Sequence, residues 1–377
     1  MNNFLRFVLA LLLTHLTAVS AQTPADRRLV IGSSMPLTGA FAESAKRLVS
    51  GSKLYFDGIN RAGGINGQQI DYQVLDDAFE PERAAKNVSE LISERGAVAL
   101  IGLTGTNQIL ASLPVVKKTA TPLFGPFSGS PVLRKEKNTP VFHVRASYSD
   151  EIQRMIDHAK AIGVRRIGIF YTDDGLGKVV LAELKIILEK ENLELVGIST
   201  TSTLDANFLH AAMDLWRNNP EAIIVGAAGS HFGKFVTAYK SLGGRWPQIY
   251  GLSVVDPGTL GAQISESARG IILTQVIPSV RNTALPIVRE YLAALAKEMP
   301  GAEPNVFELD AFTTAKILVE AMRRAGKPVS RASLINSLEI IGKYDVGGFF
   351  VFLTPDIRGG SAFVDLAIIG DKGRLRY

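Results

Sequence analysis

The chain has 377 residues, 46% hydrophobic and 20% charged, with 41 Lys and Arg against 36 Asp and Glu. One hydrophobic core seldom serves that length, so two lobes are expected. The formal charge of +5, with basic residues interspersed among acidic ones, argues against a nucleic-acid partner, and the absence of cysteine excludes a disulfide framework.

Residues 1–21 have the anatomy of a signal peptide. Arg6 precedes the apolar run from Phe7 to Leu13, and Val19-Ser20-Ala21 supplies small residues before Gln22. The run is shorter than the roughly 20 apolar residues of a bilayer span, and no other segment approaches that length. With no cysteine, a lipid anchor at the cleavage point is also excluded. The expectation is a soluble, monomeric periplasmic protein.

The first half alternates strand and helix. Leu29–Gly32 is a short apolar strand, and Leu48, Tyr55, Phe56 and Ile59 fall at helical spacing between Ser44 and Ile59. Gly63-Gly64-Ile65-Asn66-Gly67 ends that helix. Ile70–Leu75 alternates as a strand does. Pro81 stands at a first helical position, before Ala84, Ala85, Val88, Leu91 and Ile92.

The stretch Val98-Ala99-Leu100-Ile101-Gly102-Leu103-Thr104-Gly105-Thr106-Asn107 is the most informative in the chain. It reads as a buried strand, a Gly/Thr loop and the start of a helix through Leu110, Leu113 and Val116. Amide groups at a helix N-terminus lack intrahelical partners and carry partial positive charge, so a carboxylate can dock there without a basic side chain. The same residues also suit an ordinary strand-to-helix turn with Thr106 as cap. Pro122-Leu123-Phe124 is the next strand, and the repeated βαβ pattern implies a largely parallel sheet with helices on both faces.

A second series follows. Helices are predicted over 152–162, 179–191, 208–215 and 232–242, with strands at 166–171, 193–198, 222–225 and 271–273. Long helical patterns then cover Leu285–Lys297 and Phe307–Ala325, and a shorter one Arg331–Leu338. Strand-like segments Gly348–Leu353 and Phe363–Ile369 close the chain. Helices and strands added after two complete α/β units imply returns to one lobe and then the other, with a cleft between them.

Motifs of enzymes are incomplete. The five histidines are His15, His143, His158, His210 and His231, and none pair at metal-ligand spacing. No Gly-x-Ser-x-Gly elbow occurs. Gly229-Ser230-His231-Phe232-Gly233-Lys234 is one residue short of a phosphate loop and lacks a hydroxyl residue after Lys234. Asp173-Asp174-Gly175-Leu176-Gly177 lacks the third glycine of a dinucleotide fingerprint. No catalytic residue, metal or cofactor is expected, and a Rossmann-type enzyme is the least favoured reading.

Four blocks carry a family resemblance. They are Ile31-Gly32 with Pro36-Leu37-Thr38-Gly39; Ile59-Asn60-Arg61-Ala62-Gly63-Gly64-Ile65-Asn66-Gly67; Asp76-Asp77-Ala78-Phe79-Glu80-Pro81; and Ala99-Leu100-Ile101-Gly102. In this order they resemble the type I periplasmic solute-binding proteins of branched-chain amino acid importers, the Leu/Ile/Val-binding group, over nearly all of the chain after residue 21. The resemblance implies an α/β fold of two lobes, each a mostly parallel sheet flanked by helices. Three hinge crossovers are expected near Arg145–Tyr148, Val276–Pro278 and Gly342–Asp345. Residues 27–147 with 278–342 would form one lobe, and 148–277 with 343–377 the other.

The resemblance also implies the site. Thr104, Gly105 and Thr106 would grip a ligand carboxylate, with Phe127, Ser128, Gly129 and Ser130 lining the adjacent loop. Gly129 stands where a hydroxyl is usual, and Ser128 or Ser130 can substitute for it. The family's acid for a ligand ammonium falls at Ser253, its aromatic wall at Leu176, and its tyrosines at Ser44 and Ala228. Asp256, three residues on from Ser253, is an alternative acid. The implied ligand is a branched-chain or other hydrophobic amino acid, or an amine-free aliphatic or aromatic carboxylate. The implied role is the binding component of an ABC importer, closing on the solute and docking on a membrane permease. A ligand-sensing protein feeding a receptor is the alternative from another class.

Overall fold

The computed structural model describes residues 28–135, 139–202, 206–356, 358–371 and 374–377, and the expected signal peptide lies outside them. The first alternating run comprises β1 (Leu29–Met35), α1 (Ala42–Arg61), β2 (Ile70–Asp76), α2 (Pro81–Ser93), β3 (Ala99–Ile101), α3 (Thr106–Thr119), β4 (Leu123–Phe124), α4 (Val132–Lys135) and β5 (Val141–Phe142). The second comprises α5 (Tyr148–Ala161), β6 (Arg166–Thr172), α6 (Gly175–Glu191), β7 (Glu194–Thr201), α7 (Phe208–Arg217), β8 (Ala222–Gly226), α8 (Ser230–Ser241), β9 (Gln248–Gly251), α9 (Pro257–Ile264) and β10 (Ile272–Gln275). The remainder is α10 (Pro286–Glu298), α11 (Val306–Arg324), α12 (Arg331–Glu339), β11 (Gly342–Asp345), β12 (Phe350–Leu353), β13 (Asp365–Ile369) and β14 (Leu375–Arg376). Among the described residues no helix is long and apolar enough to cross a membrane.

Each run folds onto its own sheet. The first sheet is parallel, with strand order β2-β1-β3-β4-β5. The second has order β14-β13-β10-β9-β8-β6-β7, parallel from β10 to β7, with β13 and β14 added antiparallel at one edge. Strands β3, β4 and β8 are buried throughout, as expected for apolar runs covered on both faces. In both sheets the order reverses beside the founding strand, between β1 and β3 and between β6 and β8. Loops at such reversals diverge and leave a crevice at the carboxyl ends of the strands.

Passage between the sheets departs from expectation at one place. The chain leaves the first sheet after β5 and returns to that lobe after β10. Gly342–Asp345, expected to form the third crossing, is instead paired with Phe350–Leu353 in a hairpin. The Asp345 carboxylate accepts from the amides of Gly347 (2.8 Å) and Gly348 (2.5 Å), both glycines have positive φ, and the Ile287 amide donates to the Gly347 carbonyl. Side-chain capping of the Asp-x-Gly-Gly turn thus folds the segment back beside α10 rather than passing it on. The third crossing follows Leu353 and runs beside the first: the His143 amide donates to Arg358 O (2.9 Å) and the Ser361 amide to Val144 O (2.8 Å).

The first lobe is held by the crossing of α1 and α11. Tyr55 meets Phe312 edge-on at 4.9 Å between centroids, and the Tyr291 hydroxyl donates to the buried Glu308 carboxylate at 2.9 Å. Gly51 permits this approach, since a Cβ there would stand 2.1 Å from the Glu308 carbonyl oxygen. Gly51→Val should therefore destabilise the protein by about 1–3 kcal/mol, the usual cost of overpacking. Urea denaturation followed by circular dichroism tests this, and an unchanged midpoint would contradict the crossing.

Candidate functional site

The two crevices face one another across a cavity of about 200 Å³. Thr104–Gln108 after β3, Phe127 after β4, and Phe41 and Phe79 line it from the first lobe. Asp173–Leu176 after β6, Ala228 after β8, Val254 after β9 and Tyr148 at the start of α5 line it from the second.

The floor on the first-lobe side is the start of α3. Its N-cap is Gly105, at φ 93°, and no side chain caps the helix. The amides of its first turn have neither an intrahelical partner nor a side-chain cap. Helices α1, α2, α8 and α10 also begin without a side-chain cap, whereas α5, α6, α7, α9, α11 and α12 are capped; α3 differs from the other uncapped helices in that four consecutive residues of its start, Gly105–Gln108, line the cavity. The Thr106 and Ser128 hydroxyl oxygens lie 3.0 Å apart, both buried. The Thr104 hydroxyl instead lies 3.1 Å from Gly102 O and 3.2 Å from Met35 Sδ, facing the protein interior.

Three phenylalanines form the wall above this floor. Phe41 stacks on Phe79 with centroids 6.0 Å apart, and Phe41 lies 6.2 Å from Phe127. Phe79 is held out by unusual backbone. Ala78 and Phe79 sit consecutively in the left-handed region, at φ 51° and 64°. Their amides donate to Asp76 Oδ1 and Asp77 Oδ1, both at 2.9 Å, and Gln108 Nε2 donates to Phe79 O at 2.5 Å. The fully buried Asp77 also accepts from the Ser34 hydroxyl at 2.8 Å, and burial pushes its carboxyl up to about 6.

On the second lobe, Asp174 caps α6 by accepting from the Gly177 amide, and also accepts from the Thr172 hydroxyl, both at 2.9 Å. Burial raises its carboxyl above the ordinary carboxylate range. Its neighbour Asp173 is exposed and paired with Lys178 at 2.9 Å. The lobes touch on both rims. A Cβ on Gly175 would meet the Asn107 side chain, and the Ser230 amide donates to Ala40 O at 3.3 Å.

Of the residues implied by resemblance, Thr104, Gly105, Thr106, Phe127, Leu176 and Ala228 are brought together around the cavity. Ser128, Gly129 and Ser130 stand behind it. Ser128 supports Thr106 and accepts from the Ser130 amide, while Gly129 accepts from the Tyr148 amide at 2.7 Å. Ser44 is buried in the first turn of α1, outside the lining.

Ser253 also lies outside the lining, in a buried cluster behind the wall. Its hydroxyl accepts from Arg145 Nη2 at 2.6 Å and its amide donates to Glu151 at 2.8 Å. Arg145 is ion-paired with Asp310, and its guanidinium carbon stands 4.0 Å from the Phe127 ring centroid. Asp256 is not a second acid of the cavity. It caps α9 through the amides of Gly258 (2.8 Å) and Thr259 (3.2 Å), and accepts from Asn305 Nδ2 at 3.2 Å. The Asp-Pro pair at 256–257 is a helix-start signal that marks this role.

Sequence reasoning missed Phe41, Phe79, Gln108, Tyr148, Asp174 and Val254 as cavity residues. Phe79 lies within a recognised block, but nothing in the block shows which way its ring points. No group of three or more His, Cys, Asp or Glu set to hold a metal occurs among the described residues.

A family model described as "Periplasmic binding protein" matches residues 29–364. The chain is 32% identical to a substrate-binding periplasmic protein from Ralstonia solanacearum, at a TM-score of 0.85, over 91% of this chain and 98% of that one. It is 28% identical to a possible leucine/isoleucine/valine-binding protein from Rhodopirellula baltica SH 1, at a TM-score of 0.87, over 93% and 96% of the two chains. A Leu/Ile/Val-binding protein homolog 3 from Brucella melitensis is 21% identical over 314 residues, 82% of this chain and 83% of that protein. These relatives bear the names of binding proteins, not of enzymes.

The raised Asp77 carboxyl has a signed consequence. Between its ordinary 3.8 and about 6 the folded protein holds a proton there that the unfolded chain has released. Its contribution to stability is thus full below about pH 4 and is lost as pH rises through 6. Asp77→Asn removes this dependence, so the melting temperature of the variant minus that of the wild type should increase from pH 4 to pH 7. Calorimetry across that range checks it; a difference that is flat with pH would contradict the burial of a charge at Asp77.

Proposed function

This chain belongs to the periplasmic binding protein family, and from that premise we propose that it captures a small carboxylate-bearing solute by closing its two lobes. The observation that carries the reading is the start of α3, a helix end without a side-chain cap at the floor of a cavity between two opposed sheet reversals. Such an end offers several amides and partial positive charge to one anionic group. Thr106 adds a hydroxyl already oriented by Ser128. The carboxylate is taken by α3, and the apolar body lies between Phe127 and Leu176.

Residues 28–135 and 139–147, with the return segment after β10, form one lobe, joined by the hairpin β11–β12. Residues 148–277 with β13 and β14 form the other. Ligand favours closure because only the closed arrangement presents both walls, and an equilibrium moves by the difference in affinity of its two states. Residues 1–21 direct export, and the closed monomer delivers its solute to the permease of an ABC importer. The Leu/Ile/Val-binding names of the relatives support a hydrophobic amino acid or a carboxylate of similar body as cargo.

Thr106→Ala should weaken binding by about 1–3 kcal/mol, the range for a lost hydrogen bond to a charged group. Isothermal titration with the tightest ligand from a panel of amino acids and matched amine-free carboxylates measures it, and unchanged affinity would remove Thr106 from the grip. Closure has its own test at Gly229, which has φ 57° and whose added Cβ would stand 2.5 Å from Ala40 O. Gly229→Ala should hold the cleft open. Small-angle scattering at saturating ligand should then give a larger radius of gyration than the wild type, and equal radii would refute this route of closure.

A further inference from the structure

We propose that the cleft takes an aromatic monocarboxylate without a charged amine, its ring seated against the phenylalanine wall of the first lobe. The inference rests on the carboxylate reading above and adds the chemistry of the rest of the ligand.

Three observations converge on it. The two walls differ in kind. Phe41, Phe79 and Phe127 form one continuous aromatic surface, backed by Phe307 at 5.0 Å from Phe127, whereas Leu176, Ala228 and Val254 supply a low aliphatic surface opposite, where Tyr148 is the one aromatic lining residue. A slot with three rings on one side and mainly aliphatic groups on the other suits a planar ring, which gains offset-stacked or edge-to-face contacts that an aliphatic chain cannot make.

The second observation is the cost at which the wall is presented. Phe79 remains 36% exposed, on a left-handed backbone pinned by Asp76, Asp77 and Gln108. A large ring kept at a cavity rim by strained, over-determined backbone does not serve the core. Strain of this kind concentrates at ligand clamps.

The third is charge. The cavity's two carboxylates are already engaged, Asp173 with Lys178 and Asp174 with the α6 amide and the Thr172 hydroxyl. An ammonium entering here would lose its water without gaining a dedicated acid. An anion meets the first-turn amides of α3, which have no intrahelical partner.

The test is calorimetric titration of the purified full-length mature protein with two matched pairs: 3-phenylpropionate with L-phenylalanine, and 4-methylpentanoate with L-leucine. Within each pair the amine is the only difference, and between pairs the ring replaces a branched chain. We expect 3-phenylpropionate to bind at least about tenfold more tightly than any of the other three. Phe79→Leu should reduce that affinity about tenfold and bring it level with 4-methylpentanoate, while Phe79→Tyr, which keeps the ring, should retain it. Circular dichroism melts confirm that both variants fold.

Tighter binding of 4-methylpentanoate or L-leucine would overturn the aromatic assignment. The carboxylate reading would survive that result if Thr106→Ala weakens the same ligand. Tighter binding of L-phenylalanine than of 3-phenylpropionate would overturn the amine-free assignment. Unchanged affinity in Phe79→Leu would overturn the seat of the ring. Binding of none of the four would overturn this inference and the carboxylate reading together.

Discussion

The arrangement depends on a topological constraint met twice. In each sheet the founding strand has its sequence successor on one side and the next strand on the other, so the loops after β1 and β3, and after β6 and β8, must part. A parallel sheet allows this because every strand ends at the same edge. Set two such edges against each other and the partings coincide, leaving one space lined by both. The Gly-rich loops, the helix ends and the aromatic wall are all fitted to that space. None of them creates it.

The hinge region shows how two lobes stay in register around the space. Arg145, on the first crossing, reaches Asp310 on α11, Ser253 after β9 and the ring of Phe127. Glu151 takes the Ser253 amide from the other side, and burial raises both Glu151 and Asp310 above the ordinary carboxylate range. Removing one partner of such a buried cluster leaves a charge stranded, which is far costlier than losing a surface pair. The cluster therefore fixes geometry more than it adds stability. It ties the crossing, the long helix α11 and the back of the cavity wall into one unit.

Much of the fold was legible because its signals are periodic and long. The helices α1, α10 and α11 show apolar spacing over several turns, and the parallel strands are short apolar runs between Gly and Pro punctuation. The elements that escaped are those whose signal is local or shared. Strand β9 is four residues between loops, and α9 begins at Asp256-Pro257, where an acid of a ligand site and a helix cap look alike in sequence. Gly342–Asp345 carries a turn signal in Asp345-Val346-Gly347-Gly348, but a hairpin strand and a crossing strand look alike in sequence. At the site, the α3 loop was readable because its chemistry lies in the backbone and follows from strand, glycine and helix order. The side-chain wall was not, because Phe41 and Phe79 reach the cavity only through the direction of two rings. For Phe79 that direction is set by left-handed backbone that alanine and phenylalanine rarely adopt.

The missing cap on α3 has a consequence for how such a protein changes over generations. In the proposed grip the main-chain amides are set by the path of the chain, so beyond Gly105 and Thr106 it depends little on side-chain identity. The residues that shape the rest of the cavity are side chains on separate loops and can drift independently. On the proposed reading one end of the pocket comes with the fold, while the other is set by separate side chains. A change of side chain on one of those loops would then alter which body is accepted while leaving the carboxylate end in place.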